Sequence, residues 1–593
     1  MENKDITNFQ EGIHKSDFDA IYNSKMIESE SLINDFYRNK ESLDGDWNFA
    51  IDQYDTCIRS KWYEERYCDD DGNTLPVDFS FETWDKIKVP SSWNTEVEKL
   101  FLYEGSLVYT RLFNYKNKGE ARVILKFAGI NYEAKVFLNK KFIGMHKGGS
   151  TPFYIEVTNI LEDVNRILIV VNNTRKSDRV PMENTDWFNY GGIYRSVEIL
   201  RLPETFIKNF YICLSNDGTF KNIDVDIKLD GEIENGRAKL NIDELFIHGE
   251  IEIKDGRGIG KIEANPVLWS PENPKLYDVT VSYEGDTLRE KVGFREIKVL
   301  GKDILLNGEK IFLRGICTHE ESVDNGKSMT EDEIRENFNL AKELNCNYVR
   351  LAHYPHSESA SRIADEIGLM LWEEIPVYWA IDFKNDAVYA DAKNQLSELI
   401  KRDKNRASVI IWSVGNENAD TDDRLEFMKG LALYAKKLDG TRLVSAACLV
   451  DSVNLKIGDR LMEYIDVIGI NEYYGWYEPD LSKLGKIFKN SKIDKPVIIC
   501  EFGADAKAGF HGTVDDMFTE EFQREIYKKQ FKILSEVSCV KGISPWILYD
   551  FRCPRRLHSM QNYYNLKGLL SADKSKKKLV FYELEEFYKG MEK

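Results

Sequence analysis

Residues 409–417 read VIIWSVGNE, an apolar run that stops on a carboxylate at Glu417. Residues 495–503 read KPVIICEFG and follow the same pattern, with Glu501 after the apolar run. Short apolar runs bounded by turn residues predict strands that are buried on both faces, as in a parallel sheet. Barrel enzymes carry their chemistry at the C-terminal ends of such strands. The two glutamates therefore predict a pair of catalytic carboxylates, which is the machinery of glycoside hydrolysis.

From residue 301 onward, candidate strands alternate with amphipathic helices. One of these helices begins after Thr330, with Glu333 three residues later as in a capping box. Eight candidate strands lie near residues 311–316, 346–352, 369–373, 409–414, 442–448, 465–470, 496–500 and 542–548. Eight strands over residues 301–593 predict a (β/α)8 barrel. Glu417 then follows the fourth strand and Glu501 the seventh, so both side chains belong to the same rim.

The first 300 residues have a different sequence pattern, in which short runs of alternating apolar and polar residues are separated by turn residues. Residues 121–127 read ARVILKF and residues 134–139 read AKVFLN. Frequent strands without a helical period predict a β-sandwich over residues 1–203. The pattern continues more weakly over residues 204–300, a segment about the size of one immunoglobulin-like domain. The sequence therefore predicts three domains, with the barrel last.

The composition argues against several classes of function. The 593-residue chain carries a formal net charge of −19, which disfavours nucleic acid or an anionic membrane as its main partner. No apolar run reaches the roughly 18 residues of a spanning helix, and residues 1–8 lack the apolar segment of a signal peptide. The nine cysteines and eight histidines show no metal-ligand spacing. Free thiols in a reducing, bacterial cytoplasm are therefore expected.

Four motifs give the chain a resemblance to glycoside hydrolase family 2. They read DWFNYGGIYR at 186–195, NYVRLAHYP at 347–355, KNRASVIIWSVGNE at 404–417 and NEYYGWY at 471–477. The last motif resembles the β-glucuronidase branch of that family, as found in gut bacteria. The resemblance spans roughly residues 40–593. It implies a jelly-roll-like sandwich, an immunoglobulin-like sandwich and a (β/α)8 barrel, and it implies hydrolysis of β-glycosides with retention of anomeric configuration.

By motif position, the resemblance makes Glu417 the acid/base and Glu501 the nucleophile. Retention needs the two carboxyls about 5–5.5 Å apart, and the acid needs a pKa raised by burial and by the neighbouring charge. The resemblance also implies that Asn416 contacts the sugar 2-hydroxyl, that Tyr473 donates to the nucleophile and that Tyr477 contacts the sugar.

Four further side chains are expected on the same rim. Arg350 on the second strand is a candidate partner for Glu501, because a nearby cation keeps a carboxylate ionised. His319 and His353 end the first and second strands and are candidate sugar contacts. Trp546 on the eighth strand is expected to form an apolar platform under the pyranose ring.

The identity of the sugar is indicated by Asn565-Leu566-Lys567 after the eighth strand. This run resembles the Asn-x-Lys pair with which β-glucuronidases bind the C6 carboxylate, where an ammonium and an amide donate charge-assisted hydrogen bonds. Many glucuronidases have an arginine four residues before this asparagine, but here the position is Gln561. Arg555 and Arg556 are candidates for the missing cation.

Two other features bear on the substrate. Glu156 aligns with an acidic residue of the sandwich domain that can reach the sugar, although aspartate is usual there. The stretch after the third strand, residues 376–391, lacks the long loop that covers small aglycones in some gut bacterial glucuronidases. An open aglycone side is therefore expected, which favours larger glycosides or oligosaccharides over small-molecule conjugates.

Three alternatives stay open at this point. A β-galactosidase or a β-galacturonidase would share the glutamate pair, and the latter would keep the carboxylate-binding residues and explain Gln561. A non-catalytic carbohydrate-binding protein would not need both glutamates. The reaction itself needs no cofactor and no metal, whereas a flavin nucleotide bound away from the active site, as in some relatives, stays open. The family resemblance also implies a homo-oligomer.

Overall fold

The structure is a computed structural model that describes residues 22–69, 71–116, 119, 121–232 and 235–591. The expectation about a signal peptide concerns residues 1–8, which lie outside this described part. The chain forms two compact units. The first comprises the described residues up to Ile33, Asn39–Thr174 and Tyr190–Glu204, and the second comprises Asn34–Arg38, Arg175–Asn189 and the chain from Thr205 onward.

The first unit is an antiparallel β-sandwich, as predicted. Its strands are β1 (Lys40–Ser42), β2 (Gly45–Ile51), β3 (Asp85–Val89), β4 (Ser106–Asn114), β5 (Arg122–Phe127), β6 (Ile130–Asn131), β7 (Glu133–Leu138), β8 (Lys141–Lys147), β9 (Phe153–Glu156), β10 (Val164–Asn172), β11 (Gly192–Ile193) and β12 (Val197–Leu202). One sheet has the order β1-β12-β5-β9, the other has the order β3-β2-β4-β10-β7-β8, and β6 pairs with β11. Trp47 and Phe49 on β2 are separated by the polar Asn48, so both point to one face and pack in one core with Leu125 and Phe127 on β5.

Short helices complete this unit. The α-helical turns are α1 (Thr56–Arg59) and α2 (Trp93–Glu96), and the 3-10 turns are Ser29–Ser31, Trp62–Glu64, Phe81–Thr83 and Glu98–Leu100. Asp52 accepts hydrogen bonds from the first two amides of α1, Thr56 N at 2.7 Å and Cys57 N at 2.9 Å. These amides have no partner inside the helix, so the carboxylate stabilises its start.

The second unit begins with an immunoglobulin-like fold, which confirms the predicted second sandwich. Its strands are β13 (Phe206–Leu214), β14 (Asn222–Asp230), β15 (Gly236–Ile242), β16 (Ile247–Lys254), β17 (Arg257–Glu263), β18 (Tyr277–Tyr283) and β19 (Asp286–Val292), with a 3-10 turn at Asp243–Leu245. Their order is β13-β14-β17-β16-β15-β18-β19, and the outer strands β13 and β19 contact each other. An antiparallel meander follows, with β20 (Ile297–Leu300), β21 (Asp303–Leu306) and β22 (Glu309–Ile311).

Eight parallel strands then close into a barrel, which confirms the predicted (β/α)8 fold. They are β23 (Leu313–Thr318), β24 (Tyr348–Leu351), β25 (Met370–Glu374), β26 (Val409–Asn416), β27 (Leu443–Leu449), β28 (Ile468–Asn471), β29 (Val497–Glu501) and β30 (Val540–Ile543). Every residue of β26 and β29 is buried, as the apolar runs predicted. The two runs that identified Glu417 and Glu501 are therefore the fourth and seventh barrel strands.

The eighth strand ends before the position expected from the sequence. The prediction that Trp546 lies on this strand is wrong, because β30 ends at Ile543. Pro545 has no amide hydrogen and cannot continue the ladder. The chain stays close to the barrel beyond that point, since Trp546 N donates to Phe502 O at 2.9 Å. Trp546 is therefore on the loop after the strand, at the same rim.

Helices surround the barrel. They are α3 (Glu331–Glu343), α4 (Glu358–Ile367), α5 (Asp386–Asp403), α6 (Asp422–Leu438), α7 (Ser482–Asn490), α8 (Glu520–Leu534) and α9 (Leu579–Gly590), with a 3-10 turn at Arg460–Glu463. The predicted capping box of α3 is confirmed, because Glu333 N donates to Thr330 Oγ1 at 3.2 Å and Thr330 N donates to Glu333 Oε2 at 2.8 Å. Only residues 375–385 separate β25 from α5, so the expected short stretch is present.

A small antiparallel pair follows the barrel. It consists of β31 (Phe551–Arg552) and β32 (Tyr564–Asn565), with Phe551 opposite Asn565. This pairing returns the chain to the barrel and places Asn565 at the rim. Among the described residues, no helix is both long enough and apolar enough to span a membrane.

Glu290 on β19 links the immunoglobulin-like fold to the barrel through a buried ion network. Arg362 Nη1 lies 2.5 Å from Glu290 Oε1, and Arg406 Nη2 lies 3.1 Å from the same oxygen. Burial opposes ionisation of Glu290, but the charges of Arg406 and Arg362 outweigh it and lower its pKa. Glu290 is therefore shared by two buried guanidiniums, which also pair with Glu358 and Asp365 respectively.

Replacing Glu290 by glutamine is expected to lower the free energy of unfolding by about 1–3 kcal/mol at neutral pH, because two buried guanidiniums lose a shared carboxylate and keep Glu358 and Asp365 as partners. The folded-state pKa is depressed, so the stabilisation is present above the unfolded-state pKa and is lost as the pH falls. Urea unfolding measures the change. The matched control is Glu250→Gln, which removes an exposed ion pair with Arg237 and should leave the unfolding midpoint unchanged. Equal midpoint shifts would contradict the prediction.

Candidate active site

Glu501 is the last residue of β29, at the C-terminal end of the barrel. Its carboxylate is held at both oxygens. Arg350 Nη1 donates to Oε1 at 2.6 Å, and Tyr473 Oη donates to Oε2 at 2.7 Å. Two strong donors fix the orientation of the carboxylate. The structure thus brings together three residues that the sequence singled out.

Glu417 directly follows β26 and has a left-handed backbone, with φ of 53°. This conformation is costly for a residue other than glycine and tends to occur at functional sites. Trp379 Nε1 donates to Glu417 Oε2 at 2.6 Å, and Asn471 Nδ2 donates to Oε1 at 3.1 Å. Burial and the neighbouring charge of Glu501 raise the pKa of Glu417 to about 7. A carboxyl with this pKa can both give and take a proton near neutral pH.

Arg350 lies between two carboxylates and is fully buried. Besides its bond to Glu501, its Nη2 donates to Glu374 Oε1 at 3.0 Å and to Asn416 Oδ1 at 2.8 Å. Burial opposes ionisation of Glu374, but the charge of Arg350 outweighs it and lowers the pKa of Glu374 to about 2. Glu374 therefore holds Arg350 in place, and Arg350 in turn orients both Glu501 and Asn416.

Three of these residues were not predicted from the sequence. Glu374 ends the run LMLWEE at 369–374, the pattern that identified the other two glutamates, so its signal was present. Asn471 ends β28 and opens the NEYYGWY motif, which placed it on the rim. Trp379 lies in the short segment after β25 and carries no comparable signal, because its contact with Glu417 depends on the fold.

Two uncharged side-chain nitrogens at the rim have no hydrogen-bond partner within the described part of the chain. They are Asn416 Nδ2 and His319 Nε2, and both are buried. The other ring nitrogen of His319 lies 3.2 Å from Tyr354 Oη. Burial, reinforced by His353, holds the pKa of His319 well below its usual range, so the ring is neutral. Buried polar atoms are normally paired, so the two nitrogens are available to a ligand.

His353 is held through one ring nitrogen. Its Nδ1 lies 2.8 Å from Glu374 Oε1, whereas its Nε2 lies 3.7 Å from Glu501 Oε1, beyond hydrogen-bond distance. Trp546 stacks on the ring, with centroids 4.8 Å apart and planes 20° apart. Trp187, which the sequence analysis did not name, packs edge-on against Tyr378 at 4.8 Å and belongs to the same aromatic wall.

The predicted Asn565 and Lys567 belong to a set of polar residues that we call the basic cluster: Arg556, Asn565 and Lys567 with Tyr477, Asp186 and Asp505. Lys567 Nζ lies 2.5 Å from Asp505 Oδ1 and 3.2 Å from Tyr477 Oη. Burial opposes the charge of Lys567, but Asp505 outweighs it and raises its pKa. The ammonium is therefore charged although the side chain is 1% exposed.

Asp186 binds two other residues of the basic cluster, Arg556 and Asn565. Its Oδ2 accepts hydrogen bonds from Arg556 Nη2 and from Asn565 Nδ2, the latter at 3.3 Å. Arg556 Nη1 also donates to Tyr477 Oη at 3.0 Å. Gln561, at the position where many glucuronidases have arginine, donates to the other oxygen of Asp505, Oδ2. The two predicted residues thus lie among ionic partners that the sequence did not reveal.

Two predicted residues remain, Arg555 and Glu156. Arg555 is 42% exposed; its Nε lies 3.8 Å from Asp186 Oδ1, and its guanidinium carbon lies 4.5 Å from the centroid of the Trp379 ring. Glu156 ends β9 in the first unit, where Arg122 Nη2 lies 2.7 Å from its Oε2. Its contact with a sugar stays a prediction. Within the described residues, no group of His, Cys, Asp and Glu side chains could hold a metal ion.

Three family models match the chain along almost its whole length. The model for the glycosyl hydrolases family 2 sugar binding domain matches residues 40–203, the glycosyl hydrolases family 2 model matches residues 205–295, and the family 2 TIM barrel domain matches residues 297–592. A β-glucuronidase from Paenibacillus borealis is 29% identical to this chain. The alignment is 607 positions long and covers 91% of this chain and 95% of that protein.

Solved structures agree with these matches. The crystal structure of Ruminococcus gnavus β-glucuronidase has a TM-score of 0.82 and 26% identity, with coverage of 95% of this chain and 100% of that chain. A β-galacturonidase from Eisenbergiella tayi, bound to galacturonate, has a TM-score of 0.79 and 25% identity, with coverage of 93% and 97%. The chain is therefore a glycosidase that belongs to glycoside hydrolase family 2.

Proposed function

We propose that this glycosidase is a retaining exo-β-glucuronidase, with Glu501 as nucleophile and Glu417 as acid/base. The observation that carries the proposal is Lys567, a buried cation at the rim that also bears the glutamate pair. An ammonium has three donors. Asp505 and Tyr477 take two of them, which leaves one for an anionic substrate group. A neutral sugar would gain nothing from that charge.

In the first step, Glu417 gives its proton to the glycosidic oxygen while Glu501 attacks the anomeric carbon. The bond from that carbon to the leaving oxygen breaks, and a glycosyl ester of Glu501 forms. The raised pKa of Glu417 supports its role as the acid. The two donors on Glu501 support its role as the nucleophile, because they hold its carboxylate in one orientation.

In the second step, Glu417 takes a proton from water, and the resulting hydroxide attacks the anomeric carbon and releases Glu501. Esterification removes the charge of Glu501, one of the causes that raise the pKa of Glu417. The same carboxyl is then ionised more readily than before the ester formed, so it can accept the proton of water. Two displacements at one carbon retain the β-configuration.

The two available nitrogens fit hydroxyls of the bound sugar. We assign Asn416 Nδ2 to the 2-hydroxyl, where a hydrogen bond strengthens in the transition state. We assign His319 Nε2 to another ring hydroxyl, and Tyr477 and Trp546 keep their proposed contacts. No step in this scheme uses a cofactor. A homo-oligomer, which the family resemblance implies, and a cytoplasmic location, which the composition indicates, stay predictions.

A β-galacturonidase is the second candidate, because its substrate carries the same C6 carboxylate. The structural likeness to the Eisenbergiella tayi β-galacturonidase favours it over a β-galactosidase. Galacturonate and glucuronate differ only in the orientation of the 4-hydroxyl. Residues that bind the carboxylate cannot by themselves separate the two, so the comparison of substrates must do so.

The test is hydrolysis of the p-nitrophenyl β-D-glucuronide, β-D-galacturonide and β-D-galactoside, with Lys567→Ala in parallel. The glucuronide should be preferred in the natural protein. Lys567→Ala should lower kcat/KM for both uronides by at least about 30-fold, since loss of a buried charge partner costs about 2–5 kcal/mol. The galactoside should be affected much less.

Lys126→Ala is the matched control, because Lys126 is also a buried lysine, with its ammonium 3.7 Å from Glu198 Oε2, and it belongs to the sandwich of the first unit. It should lower the stability of the protein without changing the ratio between uronides and galactoside. Preference for the galactoside in the natural protein, or an equal effect of both lysine variants on the ratio, would overturn the glucuronidase proposal. Preference for the galacturonide would replace it by the second candidate.

A further inference from the structure

We propose that Arg556 is a second cation for the sugar carboxylate, acting with Lys567 at the hydroxyl of Tyr477. This inference rests on the proposed function, because it concerns how the same site recognises a uronic acid. It assigns specificity to a residue outside the Asn-x-Lys run and to the aspartate that holds it.

The two cations meet at one atom. Lys567 Nζ lies 3.2 Å from Tyr477 Oη, and Arg556 Nη1 lies 3.0 Å from it. A phenol oxygen is a weak partner for two cations, whereas a carboxylate offers two charged oxygens. A carboxylate that reaches Lys567 beside Tyr477 is therefore also within reach of the guanidinium of Arg556.

Arg556 has a donor left for such a ligand. Its Nη2 binds Asp186 and its Nη1 binds Tyr477. Its Nε is buried and has no hydrogen-bond partner within the described part of the chain. This nitrogen can donate to an anion that reaches the guanidinium, because a guanidinium carries five N–H donors and no acceptor.

The charges of the basic cluster are balanced in pairs. Asp505 neutralises Lys567, and Asp186 neutralises Arg556. The amide of Gln561, which also binds Asp505, adds no charge. A substrate carboxylate therefore meets two cations that are already held in position and need no movement of their own.

Asp186 is a positioning residue in this scheme. The same oxygen, Oδ2, accepts from Arg556 and from Asn565. The aspartate thus fixes the guanidinium relative to the amide that is assigned to the same carboxylate. Asp186 opens the motif DWFNYGGIYR, so this motif contributes to the recognition of the sugar as well as to the fold.

The experiment compares p-nitrophenyl β-D-glucuronide with the β-D-glucoside, which has a hydroxymethyl group in place of the carboxylate. The readout is the ratio of the two kcat/KM values. Arg556→Gln should lower this ratio by about 10- to 100-fold, the effect of losing a hydrogen bond to a charged group. The loss should fall on the glucuronide alone.

Arg460→Gln is the matched control. It removes the same charge from an exposed arginine that pairs with Asp420 and Asp422 and has no part in the basic cluster. The ratio should stay within about 3-fold of the natural value, since an exposed charge is screened. Equal effects of the two variants would show a general effect of charge and would overturn the assignment to Arg556.

The outcomes separate this inference from the proposed function. A natural protein that does not prefer the glucuronide contradicts the proposed function itself. A natural protein that prefers it while Arg556→Gln keeps the ratio contradicts only the role of Arg556. The double variant Asp186→Asn with Arg556→Gln leaves no unpaired buried carboxylate, so it provides the same readout if the single variant does not fold.

Discussion

Replacing Glu501 by glutamine is expected to lower kcat for an aryl β-glucuronide by at least about 10⁴-fold, because removal of a covalent nucleophile costs on the order of 10⁴–10⁶ in rate. The amide has nearly the same shape, so its oxygen can still accept from Arg350, and its NH2 can donate to the Tyr473 hydroxyl oxygen, which can accept as well as donate. It cannot form the glycosyl ester. Sugar binding, measured by calorimetry, should therefore stay detectable while turnover is lost.

Glu472→Gln is the matched control for this loss. Glu472 is a buried carboxyl next to the end of β28, and burial raises its pKa to about 8. Its Oε2 accepts from Tyr474 N at 3.0 Å and from Gln530 Nε2 at 3.1 Å, so glutamine can keep both contacts. Its activity should stay within a few-fold of the natural value. Appreciable turnover by Glu501→Gln would show that another group is the nucleophile.

A small anion can identify the role of Glu501 directly. In Glu501→Ala, azide can enter the space left by the carboxylate and attack the anomeric carbon from the same face. One displacement then replaces two, so the product should be the α-glycosyl azide, with inverted configuration. Proton NMR of the product distinguishes the two anomers. A β-glycosyl azide from this variant would assign Glu501 to the acid/base role instead.

The barrel and its two glutamates were predictable because each depends on a local pattern. A strand buried on both faces must be apolar, so a carboxylate at its end stands out in the sequence. The same apolar pattern led the prediction to extend the eighth strand too far, because residues 542–551, GISPWILYDF, stay mostly apolar although the strand ends at Ile543. Pro545 is the residue in the sequence that marks the end of this strand.

The partners of the predicted residues were not predictable in the same way. Asp505 and Asp186 bind Lys567 and Arg556 from segments that are distant in sequence. Neither aspartate ends an apolar run, and their contacts depend on how the loops at the rim fold. The resemblance to a family named the Asn-x-Lys run, but it could not give the ionic partners that keep Lys567 charged while it is buried.

Replacing Glu417 by glutamine is expected to have an effect that depends on the leaving group. Loss of a general acid costs about 10²–10⁴-fold, so a glucuronide with an alkyl or sugar leaving group should lose that much in kcat/KM. A 2,4-dinitrophenyl leaving group departs without a proton, so its kcat/KM should change little. A uniform loss across the series would contradict the assignment of Glu417 as the acid.

The pH profile provides the second readout for the same variant. The first step needs protonated Glu417, and its pKa of about 7 means that the proton is held below that pH and lost above it. In the natural protein, kcat/KM for a poor leaving group should therefore fall as the pH rises through about 7. Glutamine does not titrate, so this alkaline limb should disappear in Glu417→Gln. An alkaline limb that persists unchanged in Glu417→Gln would belong to the titration of another group. Glu417, which Trp379 and Asn471 bind, would then not be the residue that protonates the leaving group.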